Sequence, residues 1–142
     1  MPQQQLEKLM TKILQQGDPK DLNTPNPVVS LEDFFEGNDD EGSIGCNLAD
    51  HPGIDRFYDI LMSIRNKKSV QNVLVRINEV LENERPFADV IYIITSSPIE
   101  EVQSWAEPLK PDEVNEGLYW DEKLAADMEI QPGMRIVHLW WD

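Results

Sequence analysis

Seven residues restrict the fold of this chain more than any others: Asp89-Val90-Ile91-Tyr92-Ile93-Ile94-Thr95. Successive side chains of a strand point to opposite faces, and here both alternating sets are apolar. A strand of that kind belongs in the middle of a sheet rather than at its margin. The elements around it are read from periodicity and from local stop signals. Val70 to Ile77 reads as a strand with Val73, Val75 and Ile77 on one face, and the polar stretch Glu82 to Arg85 with Pro86 turns the chain back. Met134 to Trp141 reads as the last strand. Ser43 to Leu48, with Ile44, Cys46 and Leu48 alternating, reads as a half-buried first one.

Two helices separate these strands. Ile54, Phe57, Tyr58, Leu61 and Ile64 trace one apolar stripe. Ser97-Pro98-Ile99-Glu100 has the form of a capping box with Pro at the first helical position, opening a helix that carries Val102 and Trp105 and closes at Pro108 and Pro111. The order is βαββαβ. It predicts an α+β, ferredoxin-like antiparallel sheet with helices on one face and with the first and third strands central. Residues 112–133 form an insertion before the last strand.

Ahead of this unit, Leu6, Leu9, Met10, Ile13 and Leu14 fall on one side of a helix that ends at Gly17. Pro19, Pro25 and Pro27 make the stretch from Gly17 to Pro27 an extended connector. The expected organisation is an amphipathic helix and connector over residues 1–26 and a single α+β domain over 27–142. Ser30 to Gly37 reads as a short helix: Ser30 caps it, Val29 and Phe34 staple it, and Gly37 ends it.

Charge narrows the choice of partners. The formal net charge is −15 over 142 residues, and it is unevenly distributed. Pro27 to Gly53 holds seven acids and no Lys or Arg, while Asp89 to Asp142 holds twelve acids against three bases. The stretch between them is near neutral. Phosphate recognition requires clustered Lys and Arg, and the one dense basic group is Arg65, Lys67 and Lys68 at a helix end, where it complements the helix dipole. Direct binding to nucleic acid or to an anionic membrane surface is therefore excluded as an expectation, and a basic protein partner is favoured. The single Cys46 forbids an intrachain disulfide and fits a reducing compartment. The first sixteen residues lack the uninterrupted apolar run of a secretory signal, so a cytoplasmic location is expected.

No residue set forms a familiar catalytic constellation. Cys46 and His51 are close in sequence, but Cys46 shares the alternation of Ile44 and Leu48 and reads as a small buried hydrophobe. His51 precedes Pro52-Gly53, where a loop or cap residue belongs. The acidic loop Asn38 to Ser43 fails as a calcium loop, because aligning Gly42 with the loop glycine puts Gly37 and Leu48 where oxygen ligands are needed. No metal site and no cofactor are expected.

Two adjacent Trp, Trp140 and Trp141, must point to opposite faces of the last strand, one filling the core and the other needing cover. The leading functional expectation is an acidic, non-catalytic binding module of the immunity-protein or antitoxin kind, occluding a basic, nuclease-like partner. Its expected contacts are Glu32, Asp33, Glu36, Asp39, Asp40 and Glu41. The alternative is a small enzyme or ligand binder with a pocket between the sheet and the 112–133 insertion, lined by Cys46, Tyr119, Trp120 and His138. Self-association through the N-terminal helix or the aromatic C-terminal strand is the third expectation.

Overall fold

The computed structural model describes residues 2–17, 26–38, 40–80, 86–118 and 129–141. Four α-helices and five strands follow one another along the described chain: α1 (Pro2–Gln15), β1 (Val28–Ser30), α2 (Leu31–Phe35), α3 (Ile54–Arg65), β2 (Val70–Glu79), β3 (Phe87–Thr95), α4 (Ile99–Ala106), β4 (Glu113–Glu116) and β5 (Arg135–Trp140). The strands form one antiparallel sheet in the order β1-β2-β3-β5-β4. The doubly apolar strand β3 is central, as its composition demands. The architecture is α+β.

One face of the sheet carries Val73, Val75, Ile91, Ile93, Val137 and Leu139, and residues from all four helices complete the same core: Leu9 and Ile13 from α1, Phe34 from α2, Phe57 and Leu61 from α3, Val102 from α4. Burying each such side chain contributes about 1.5–3 kcal/mol relative to leaving it in water. On the opposite face Val90, Tyr92 and Ile94 are buried as completely. The two Trp divide as expected. Trp141 packs at 5.5 Å from Phe57 and its indole N–H donates to the Leu109 carbonyl at 2.9 Å, while Trp140 lies half-buried on the other side.

The βαββαβ order does not hold. Ser43 to Leu48 is not a strand: Glu41–Ser43 forms a 3-10 turn, Ile44 makes an isolated bridge to Ala88, and Gly45 to Leu48 closes a tight turn. Gly45 adopts φ +64°, and a Cβ there would lie 2.9 Å from Leu48 and 3.0 Å from Phe57, so backbone must pass where no side chain fits. The ladder position beside β2 is taken by β1, and β5 pairs with β3 rather than with a first strand. The last strand is also not a free margin, since β3 and β4 flank it on both sides.

Two local signals resolve differently. Ser30 caps α2 as expected, accepting from the Asp33 N–H at 3.1 Å. Ser97 does not cap α4. Its hydroxyl donates to Ser69 at 2.7 Å and its carbonyl accepts from Arg135, so the helix begins one residue later with Pro98 at the cap position.

The N-terminal helix belongs to the same core as the rest. Leu9 and Ile13 are fully buried, and Gln16 at the end of α1 reaches β1, donating to the Val28 carbonyl at 2.7 Å and accepting from the Val28 N–H at 2.8 Å. One carboxamide thus satisfies the two backbone groups that a further strand would have paired.

Candidate functional site

The register of β2 against β3 contains a local irregularity that positions side chains. Arg76 pairs with Val90, Ile77 with Ala88 and Glu79 with Phe87, which leaves Asp89 out of the ladder on β3 and Asn78 out of it on β2. The two insertions cancel, so pairing resumes in its original register. The distortion therefore does nothing for the rest of the sheet. It re-aims two polar side chains at one place, a use to which bulges are put beside binding sites.

That place is a cleft of about 240 Å³ lined by Gly45, Cys46, Asn47, Asn78, Phe87, Ala88, Asp89, Trp140 and Trp141. Asp89 sits on its floor. Arg76, which is 7% exposed, donates from Nη1 to Asp89 Oδ1 at 2.8 Å. Burial pushes the Asp89 carboxyl above the usual range, opposed by Arg76 and by the hydrogen bond from the Trp140 side chain. Removing either charge of a buried pair strands the other, so Arg76 and Asp89 are held as a unit.

Of the expected pocket residues, the two that are described, Cys46 and His138, do not share this cleft. Cys46 is exposed on the cleft rim, not buried on a strand face, because the Gly45 turn lifts it out of the alternation. His138 does not line the cleft. It lies two residues up β5, buried, with Nδ1 2.9 Å from the Gly117 carbonyl and Nε2 3.6 Å from Glu113. Tyr119 and Trp120 lie outside the described residues. His51 accepts from the Gly53 N–H at Nδ1 and meets the Ile44 carbonyl at 2.8 Å through Nε2, which assigns the proton to Nε2. Both nitrogens are engaged in pinning the Ile44 loop to the start of α3, so His51 is no base for the Cys46 thiol. Among the described residues no group of three or more His, Cys, Asp and Glu is placed to hold a metal ion.

The acidic residues expected to meet a partner are spread over several tasks. Glu32 forms a two-pronged pair with Arg65 at 2.6 and 2.7 Å, and that hydrogen bond holds its carboxyl below the usual range. Asp33 lies 3.7 Å from Lys8, and Asp40 caps the 3-10 turn through the Gly42 N–H at 2.9 Å. Glu36 and Glu41 are exposed. Asp39 lies outside the described residues. The basic group at the end of α3 is likewise employed: Arg65 on Glu32, and Lys67 over the Trp105 ring at 5.1 Å.

A second acidic region lies at the far margin of the sheet. Helix α4 packs on β4, and together with the turn between them they carry Glu100, Glu101, Glu107, Asp112, Glu113 and Glu116 against Lys110, with Arg135 of β5 and Lys67 beside Trp105 as the neighbouring cations. Five of the six acids are exposed, Glu113 being half-buried. Arg135 approaches Glu116 no closer than 3.8 Å. Four inter-strand spacings separate β1 from β4, roughly 19 Å. The acidic segments around α2 and β4 thus sit at opposite margins of the sheet.

A family model described as the Uncharacterized protein YfbO family matches residues 4–139. The chain belongs to the YfbO family. The chain is 38% identical over 139 residues to "Uncharacterized protein YfbO" of Escherichia coli (strain K12), covering 96% of this chain and 98% of that protein. No solved structure matches the chain. The YfbO match takes in α1 and β5 alike, so the helix that closes one margin of the sheet lies within the family unit. No helix among the described residues is long and apolar enough to cross a membrane.

Proposed function

We propose that this protein is an acidic binding module that captures a basic protein on the carboxylate rim around α4 and β4. One observation carries the reading: six acids stand against three bases, Lys67, Lys110 and Arg135, at a margin where β4 pairs with β5 alone among the described strands. Near α2, Glu32 and Asp33 face Arg65 and Lys8 and Asp40 caps a turn, whereas the acids of the rim outnumber the bases beside them. Such a surplus steers an oppositely charged protein into encounter and rejects anionic surfaces. The partner class is a basic, nuclease-like protein whose phosphate-binding surface the rim would cover, in the manner of an immunity protein. An exposed lone thiol at Cys46 fits a reducing, cytoplasmic setting for this interaction.

The test is retention of partners on the immobilised full chain at low ionic strength, followed by their identification and assay. The expected result is a basic protein that elutes as salt rises, and whose nuclease activity falls when the module is added back. Retention of no basic protein defeats the proposal. So does retention that persists near 1 M salt, where the screening length is about 3 Å.

A further inference from the structure

The cleft between the paired bulges and the Gly45 turn is a separate site from the acidic rim, and its chemistry differs. We propose that it binds a neutral, hydroxyl-rich ring of monosaccharide size. Size sets the first limit: about 240 Å³ is smaller than the pockets that enclose drug-sized ligands. Charge sets the second. The one carboxylate in the lining, Asp89, is matched at 2.8 Å by the buried Arg76, so the cleft holds no surplus charge for an organic cation, and the net charge of −15 disfavours an anion.

The polar groups suit hydroxyls. Asn78 presents a carbonyl and an amino group, which can accept from and donate to neighbouring hydroxyls of one ring, and Asp89 is an acceptor beside it. The apolar groups suit the C–H face of the same ring. Trp140 and Phe87, both half-buried, line the cleft beside Asp89. The cancelling bulges point the same way independently. Asn78 and Asp89 are both skipped by the ladder at no gain to register, and both line this cleft.

The experiment is an NMR titration of the ¹⁵N-labelled full chain with glucose, galactose and N-acetylglucosamine. Tetramethylammonium and inorganic phosphate serve as cationic and anionic comparators. The expected result is saturable binding of at least one sugar with a millimolar Kd, the strength open to a ring of about a dozen heavy atoms. Shifts should be confined to Cys46, Asn47, Asn78, Asp89 and the Trp140 indole N–H. Asn78→Ala, a change at an exposed position, should keep the remaining spectrum and weaken binding about tenfold. Asn78→Trp, which fills the cleft, should abolish it. No saturable shift with any sugar up to about 100 mM overturns the proposal. Shifts that lie elsewhere, affinity unchanged in Asn78→Trp, or binding of tetramethylammonium or phosphate alone also overturn it. The acidic-rim reading is untouched by any of these results, because none of the cleft residues belongs to the rim.

Discussion

The two margins of the sheet meet the same physical problem and answer it differently. A marginal strand exposes backbone N–H and C=O groups that invite pairing with another chain. At β1 the answer is closure. Helix α1 buries Leu9 and Ile13 in the core, and the Gln16 carboxamide occupies both backbone groups of Val28. At β4 the answer is charge: Glu113 and Glu116 stand on the strand, and Glu100, Glu101 and Glu107 stand on the helix and turn beside it. Closure removes a surface from use. Charge makes the surface left by the described residues selective, since like charge repels a second acidic copy and opposite charge attracts a basic chain. On the proposed reading, a partner is to be sought at β4 and not at β1.

The largest effect belongs to Ile13→Ala on the closed side. A fully buried side chain replaced by a methyl group should cost about 2–5 kcal/mol, measured by urea unfolding. A loss below about 0.5 kcal/mol, the range of a surface substitution, would show α1 to be an appendage instead of part of the core.

Gln16→Ala tests the clamp itself. Losing both bonds to Val28 should cost about 1–2 kcal/mol and free a stretch of β1, so size exclusion should show a concentration-dependent dimer absent from the wild type. An unchanged, monomeric variant would mean that the carboxamide does not guard the strand.

Much of this architecture is legible in the chain, for physical reasons. β2, β3 and β5 announce themselves because each buries at least one apolar face along several residues. β4 does not, since Glu-Val-Asn-Glu has a single apolar residue, Val114, and owes its strand conformation to β5. β1 is three residues long and comes just after Pro25 and Pro27, so local sequence hides it. The alternation of Ile44, Cys46 and Leu48 is coincidental, and the glycines at 42 and 45 are the signal that breaks it. The Ser97 capping box is displaced by a tertiary partner, Ser69, that no local window contains.

The cleft is hardest to read. Asn78 and Asp89 are placed by mispairing between strands, and no single strand encodes its own bulge. One signal does exist: Arg76 interrupts an apolar strand, and an inward Arg requires a buried acceptor such as Asp89. Cys46 does reach a pocket, but its place on the rim is set by the Gly45 turn rather than by a strand.

Two smaller effects probe each margin further. On the closed side, the Glu32 carboxyl is held below its usual range by Arg65, so its contribution is present above the unfolded value of about 4.3 and is lost as pH falls through the lower folded value. Glu32→Gln should flatten that part of the pH–stability curve, by about 0.5 kcal/mol for a solvent-screened pair. A curve of unchanged slope would mean the pair is not formed in solution. On the open side, Glu113→Gln with Glu116→Gln should change stability by less than about 0.5 kcal/mol, because the nearest basic side chains, His138 and Arg135, lie 3.6 and 3.8 Å away. A larger loss would show that these carboxylates serve the fold and not a partner.

Partner capture at the β4 margin is tested most squarely by the affinity of the captured basic protein for two charge-reversed forms of the chain. One carries Glu113→Lys and Glu116→Lys at the β4 margin; the other carries Glu36→Lys and Glu41→Lys near α2. Affinity should fall about tenfold or more for the first, in line with like charges facing the partner. It should change within about threefold for the second, as long-range screening at physiological salt allows. Equal losses in both, or a loss confined to the α2 side, would contradict capture at β4.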